Sequence, residues 1–179
     1  MRQFAIIFAA FVLCACGQAE RDAAGDCTLS ATRALTWPEG DARLTATASA
    51  AGADCASATL TLELRSDDGA MTHTFAAPYA ELAHSAAPTP EEVQRFLNSW
   101  ADVTQMRSST LPAWAASMSR PGEGVDLLPY ESALPRADYE ALRARNLPTI
   151  CIARGVAMVE CFVLDADERA LRAVLGYAA

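Results

Sequence analysis

Six cysteines and two histidines are the side chains of this 179-residue chain best suited to covalent or metal chemistry. Cys14 and Cys16 close an apolar N-terminal run, while Cys27, Cys55, Cys151 and Cys161 are spread over the rest. Four thiols in an oxidising compartment read as two disulfides, with three connectivities open. A four-cysteine zinc site is the rival, but none of the four belongs to a C-x-x-C pair. His73 and His84, even with Glu81 as a third group, match no common metal-ligand spacing. His73 lies on the apolar face of an alternating segment, where a hydrogen-bonded, half-buried imidazole is expected ahead of a catalytic one. His84 lies in a polar stretch.

Other chemistries are poorly served. The chain has no G-x-S-x-G elbow and no S-x-x-K. All fourteen basic residues are arginine, which excludes a Schiff-base or general-base lysine. Twenty-two acidic residues leave many carboxylate pairings open for glycoside hydrolysis. Asp67-Asp68, however, fits a turn, and Glu91-Glu92 fits the electrostatics of a helix start. Pro121-Gly122-Glu123-Gly124 lacks the pattern of a phosphate loop. No cofactor and no metal is indicated.

The first residues carry the most specific signal. Arg2 precedes an apolar run from Phe4 to Leu13, about 15 Å long as a helix and half of a roughly 30 Å hydrocarbon core. A charged start, a short apolar stretch and small residues at its end mark a secretory signal. The run ends Leu13-Cys14-Ala15-Cys16-Gly17, which resembles the lipobox of bacterial lipoprotein precursors over about the first sixteen residues. That resemblance implies a diacylglycerol on the Cys16 sulfur, cleavage before Cys16 and a further acyl chain on the new amino group. Two or three chains anchor stably where one binds marginally. Cys14 departs from the small or hydroxyl residue commoner at its position, which bears on cleavage efficiency. The family's inner-membrane retention signal is an Asp directly after the lipidated cysteine. Gly17 stands there, which in a two-membrane bacterium implies the periplasmic side of the outer membrane ahead of the inner membrane.

Removing fifteen residues from 179 leaves 164, enough for one domain with a real core. The net charge of −8 becomes −9 once Arg2 is gone, so phosphate backbones are repelled and nucleic acid is not an expected partner. The expected division is a signal peptide over 1–15, a lipidated N-terminus and flexible tether over 16–26, and one globular domain over 27–179. The tether from Gly17 to Asp26 spans about 16–19 Å as a random coil and double that when extended.

The elements that must position these groups are legible from periodicity. Leu29, Ala31, Leu35 and Trp37 alternate with polar residues, and so do Leu44, Ala46, Ala48 and Ala50 beyond a turn at Pro38–Asp41. Pairing Trp37 with Ala42 sets Leu35 against Leu44 and Leu29 against Ala50. It also sets Cys27 against Gly52, close enough to Cys55 for a Cys27–Cys55 bridge. Asp68-Gly69 predicts a second hairpin, with Leu64 against His73 and Leu62 against Phe75. Thr89, Pro90 and Glu92 open a helix whose apolar stripe is Val93, Phe96, Leu97, Trp100 and Val103. A short helix follows over Arg136–Asn146, then strands over Thr149–Ala153 and Val156–Leu164. Asp165 and Glu168 cap an expected last helix whose Leu171, Val174 and Leu175 face inward. A loop at Gly155-Val156-Ala157 sets Cys151 opposite Cys161, and a tighter turn at Arg154-Gly155 separates them. The first is preferred because it pairs the thiols.

The expected fold is α+β: an antiparallel sheet of about four to six strands with about three helices on one face, stabilised by disulfides. The irregular stretch Met106–Pro135 offers Trp114 and Met118 as candidate partner-binding residues. Trp114 either faces a partner or plugs the core beside Trp100. The functional expectation is a non-catalytic envelope lipoprotein that binds a protein or glycan near the membrane. A periplasmic hydrolase acting through two carboxylates and a lysozyme-inhibitor-like protein are the alternatives.

Overall fold

The computed structural model describes residues 26–37, 42–83, 85–124, 129–165 and 169–178. The apolar leader, Cys16, most of the tether, the turn at 38–41, His84 and Glu168 lie outside the described residues.

Period-two alternation produces β1 (Leu29–Thr36), β2 (Arg43–Ala51), β3 (Thr59–Ser66) and β4 (Thr72–Pro78), an antiparallel meander in the order β1-β2-β3-β4. Leu35 stands against Leu44 and Leu29 against Ala50, while Leu62 meets Phe75 and Leu64 meets His73. Ala46, Ala48, Leu60, Leu62 and Leu64 on the inner face are fully buried. Each such leucine contributes about 1.5–3 kcal/mol relative to an exposed one. The outer face aligns Thr32, Thr47, Glu63 and Thr74 across the four strands. A one-residue slip would exchange the two faces, which is why the register is so firmly specified.

The short helix α1 (Tyr79–Leu82) leads to α2 (Pro90–Ala101). The Glu92 N–H donates to Thr89 Oγ1 at 3.3 Å, and the Thr89 N–H donates to the Glu92 carboxylate at 2.8 Å. This reciprocal pair satisfies two of the donors a helix start leaves open. Val93, Leu97 and Trp100 are buried in the same core as β1 and β2.

The remaining strands form a second antiparallel sheet. They are β5 (Thr104–Arg107), β6 (Glu131–Ser132), β7 (Pro148–Gly155), β8 (Met158–Asp165) and β9 (Ala170–Ala178), in the order β5-β7-β8-β9-β6. The expected single sheet is therefore two, because β7 and β8 are apolar on both faces. Ile150, Ile152, Phe162 and Leu164 fill the core shared with the first sheet and α2. Cys151, Cys161 and Val163 fill a second core with Tyr139 and Leu142 of α3 (Arg136–Ala144). The helices accordingly do not share one face: α2 belongs to the first core and α3 to the second.

The expected last helix is the strand β9. Leu171, Val174 and Leu175 satisfy a helical spacing, but Leu171, Ala173, Leu175 and Tyr177 equally satisfy a strand, and a short apolar run cannot separate the two. Pairing with β8 along its whole length decides the matter, with an irregularity at Cys161/Phe162 that accommodates Val174. Asp165 does not cap a helix; it ends β8 in an ion pair with Arg145.

Candidate functional site

The two disulfides join Cys27 to Cys55, with Cα atoms 4.9 Å apart, and Cys151 to Cys161, with Cα atoms 4.0 Å apart. The Cys27 N–H donates to the Gly52 carbonyl at 2.8 Å, which brings the chain entry beside the loop that carries Cys55. Cys151 and Cys161 are direct cross-strand partners. Gly155 pairs with Met158, and a register shift between Ala153 and Gly155 absorbs the odd residue. With all four sulfurs in disulfides, none of these cysteines is a zinc ligand. Among the described residues no group of three or more His, Cys, Asp or Glu side chains could hold a metal ion.

Trp114 and Met118, the candidate partner-binding residues, are both half-buried. The Trp114 indole stands edge-on to Tyr139, with ring centres 5.9 Å apart, and its N–H donates to the Met118 carbonyl at 3.0 Å. Trp114 packs on the second core, not beside Trp100. Side chains of α3 hold the backbone around it. Glu140 accepts the Trp114 backbone N–H at 2.6 Å, Tyr139 donates to the Pro112 carbonyl at 2.8 Å, and Arg143 donates to the Leu111 carbonyl at 2.9 Å. Burial pushes the Tyr139 hydroxyl well above the usual phenol range, with Arg143 partly opposing the shift, so it stays a neutral donor.

His73 is half-buried, its ring centre 4.7 Å from that of Phe162, and its Nε2 is buried without a hydrogen-bond partner. The hydrogen-bonded imidazole expected at this place is thus not formed at that nitrogen. Burial, and next the positive charge of Arg154, lowers its pKa below 6.5, while Glu160 works the other way. The Arg154 guanidinium lies 3.9 Å from the centre of the Phe75 ring and 3.1 Å from the Glu160 carboxylate. Asp68 is turn chemistry: its carboxylate accepts from Ser66 Oγ and the Ala70 N–H, and those bonds lower its pKa.

The described residues line a surface trough. One cavity of about 290 Å³ opens where β5 stops pairing with β7, lined by Phe96, Trp100, Asp102, Ile152, Val159 and Tyr177 among others. The indole N–H of Trp100 donates across it to the Ala153 carbonyl at 3.1 Å. A second cavity, about 340 Å³, shares Phe96 and Ser99 with it, and a third, about 270 Å³, shares Tyr177. A fourth, about 210 Å³, lies by Glu140 and Arg143. Each of the four carries one acidic side chain: Asp102, Glu92, Glu131 or Glu140. None supplies the two facing carboxylates of a glycosidase. His73 lines none of them. This trough was not legible in the sequence, since its walls come from α2, β7, β8 and β9.

No family model, no curated protein and no solved structure matches this chain.

Proposed function

We infer that the protein is a lipid-anchored module of the bacterial envelope that binds a partner and performs no chemistry of its own. The observation that carries this reading is the apolar run ending Leu13-Cys14-Ala15-Cys16, with its cysteine where the run stops. Cys16 receives the lipid and becomes the new N-terminus, and Gly17 directs the product to the periplasmic side of the outer membrane. Two disulfides in a domain of this size agree with an oxidising compartment. The partner is an envelope protein or a glycan, for which the Phe96–Trp100–Tyr177 trough supplies aromatic faces and few charges.

Feeding radiolabelled palmitate to cells making the full chain tests this reading. Label is expected on the wild type and absent from Cys16→Ala, and globomycin is expected to leave the uncleaved precursor. A soluble product without label overturns it.

A further inference from the structure

We propose that the turn at Val156–Ala157, between β7 and β8, is a membrane-contact tip that rests on the lipid surface holding the anchor. The proposal rests on the lipid-anchor reading and adds an orientation to it.

Among the described residues, Val156 and Met158 are the large apolar side chains left exposed, at 43% and 58%. Single exposed apolar residues are ordinary, but two on one turn are a local patch. Next to them lies the cavity of about 270 Å³ bordered by Pro129, Met158 and Tyr177. Tyr177 and Tyr130 meet edge-on with ring centres 5.3 Å apart. Tyrosines beside an apolar tip suit a boundary that is oily on one side and wet on the other.

The position of the tip identifies its partner. The Cys27 N–H bonds to the Gly52 carbonyl, and Gly52 lies against the backbone of Ala58. The Tyr79 N–H bonds to that same Ala58 at 3.0 Å, and the Val156 N–H bonds to the Glu81 carbonyl at 3.1 Å. The N-terminal segment and the turn therefore sit at one end of the molecule. The opposite end carries the Asp68-Gly69 turn, about 26 Å away along β3 at the usual rise per residue. A tether from Gly17 to Asp26 reaching about 16–19 Å holds the anchored end near the headgroups. At that distance the encounter of tip and membrane is intramolecular, so a small apolar contact is enough. Charge does not assist it: Glu81 is exposed at this end, the exposed Glu131 borders the cavity beside Met158, Arg154 is engaged by Glu160 and Phe75, and the chain is acidic. The contact is apolar and favours zwitterionic lipid over anionic lipid.

The test uses the full-length acylated protein in phosphatidylcholine–phosphatidylethanolamine vesicles, with and without brominated acyl chains. Met158→Trp and Val156→Trp report on the tip and Ala70→Trp on the far end, with the emission of the unsubstituted protein subtracted. Bromolipid is expected to remove most of the added emission at 156 and 158 and to leave that at 70 unchanged. Adding Met158→Glu to Val156→Trp is expected to abolish the quenching, and circular dichroism checks that each variant is folded. Equal emission at 70 and 158 overturns the proposal. Palmitate incorporation, measured on the same preparations, separates the two readings: acylated protein with an unquenched tip refutes the orientation alone, and unacylated protein refutes both.

Discussion

Arg145 grips Asp165 with two parallel bonds, Nη1 to Oδ2 at 2.6 Å and Nη2 to Oδ1 at 3.1 Å. The carboxylate is 1% exposed and the guanidinium 42%. The pair fastens the end of α3 to the end of β8. Arg145→Ala leaves a buried carboxylate without this counter-charge. The expected loss is about 2–4 kcal/mol, lower than for a wholly buried pair because water reaches the arginine side. Asp165→Asn, which buries no charge, is expected to lose less. Urea unfolding followed by circular dichroism checks both, and equal midpoints for Arg145→Ala and wild type contradict the assignment.

The two disulfides close loops of unequal length, with sequence separations of 28 and 10. Chain-entropy arguments give about 3.6 kcal/mol for Cys27–Cys55 and about 2.7 kcal/mol for Cys151–Cys161. Paired Cys→Ala variants are expected to rank in that order in urea. Mapping of unreduced peptides is expected to recover these two linkages, and a Cys27–Cys151 peptide contradicts the first hairpin.

His73 makes stability pH-dependent. Its folded pKa lies below the unfolded value, because burial and Arg154 disfavour the imidazolium. The unfolded chain therefore binds the proton more readily, and the neutral ring's contribution is complete above about pH 6.5 and lost as the pH falls through the folded pKa. His73→Phe removes this dependence and the unpartnered Nε2. Its stability relative to wild type is expected to rise between pH 8 and pH 5. A difference that stays constant over that interval contradicts the argument.

Gly52 has no room for a side chain. A Cβ there would lie 2.8 Å from the Ala58 Cα and 3.0 Å from the Asp54 carbonyl oxygen, and both are backbone atoms. Gly52→Ala forces the loop that carries Cys55 to shift, with an expected loss of about 1–3 kcal/mol in thermal or urea unfolding. An unchanged melting temperature is the contrary result.

The parts of this fold legible in the sequence are those where one periodicity has no competitor. Leu35 against Leu44 and Leu62 against Phe75 follow from strict alternation over a sheet wet on one side. Thr89 and Glu92 announce their helix because the capping box needs those two types three residues apart. Ala170–Ala178 misleads, since its apolar positions serve two periods and only its pairing with β8 chooses between them. Thr104–Arg107 and Glu131–Ser132 are too short to show a period, so the sequence shows the β7–β8 hairpin but not the five-stranded sheet it belongs to. The trough escapes for the same reason: Phe96 and Tyr177 meet at it from distant parts of the chain.

The indole N–H of Trp37 ends on the Met106 carbonyl, 3.0 Å away and 69 residues further along. Ile152 and Phe162 complete the same interior as Leu62. The opening hairpins, emerging first from the ribosome, thus have no finished interior to collapse onto. Folding must wait until β7 and β8 have been made, so a stop codon before them would yield a sticky fragment and not a smaller working protein.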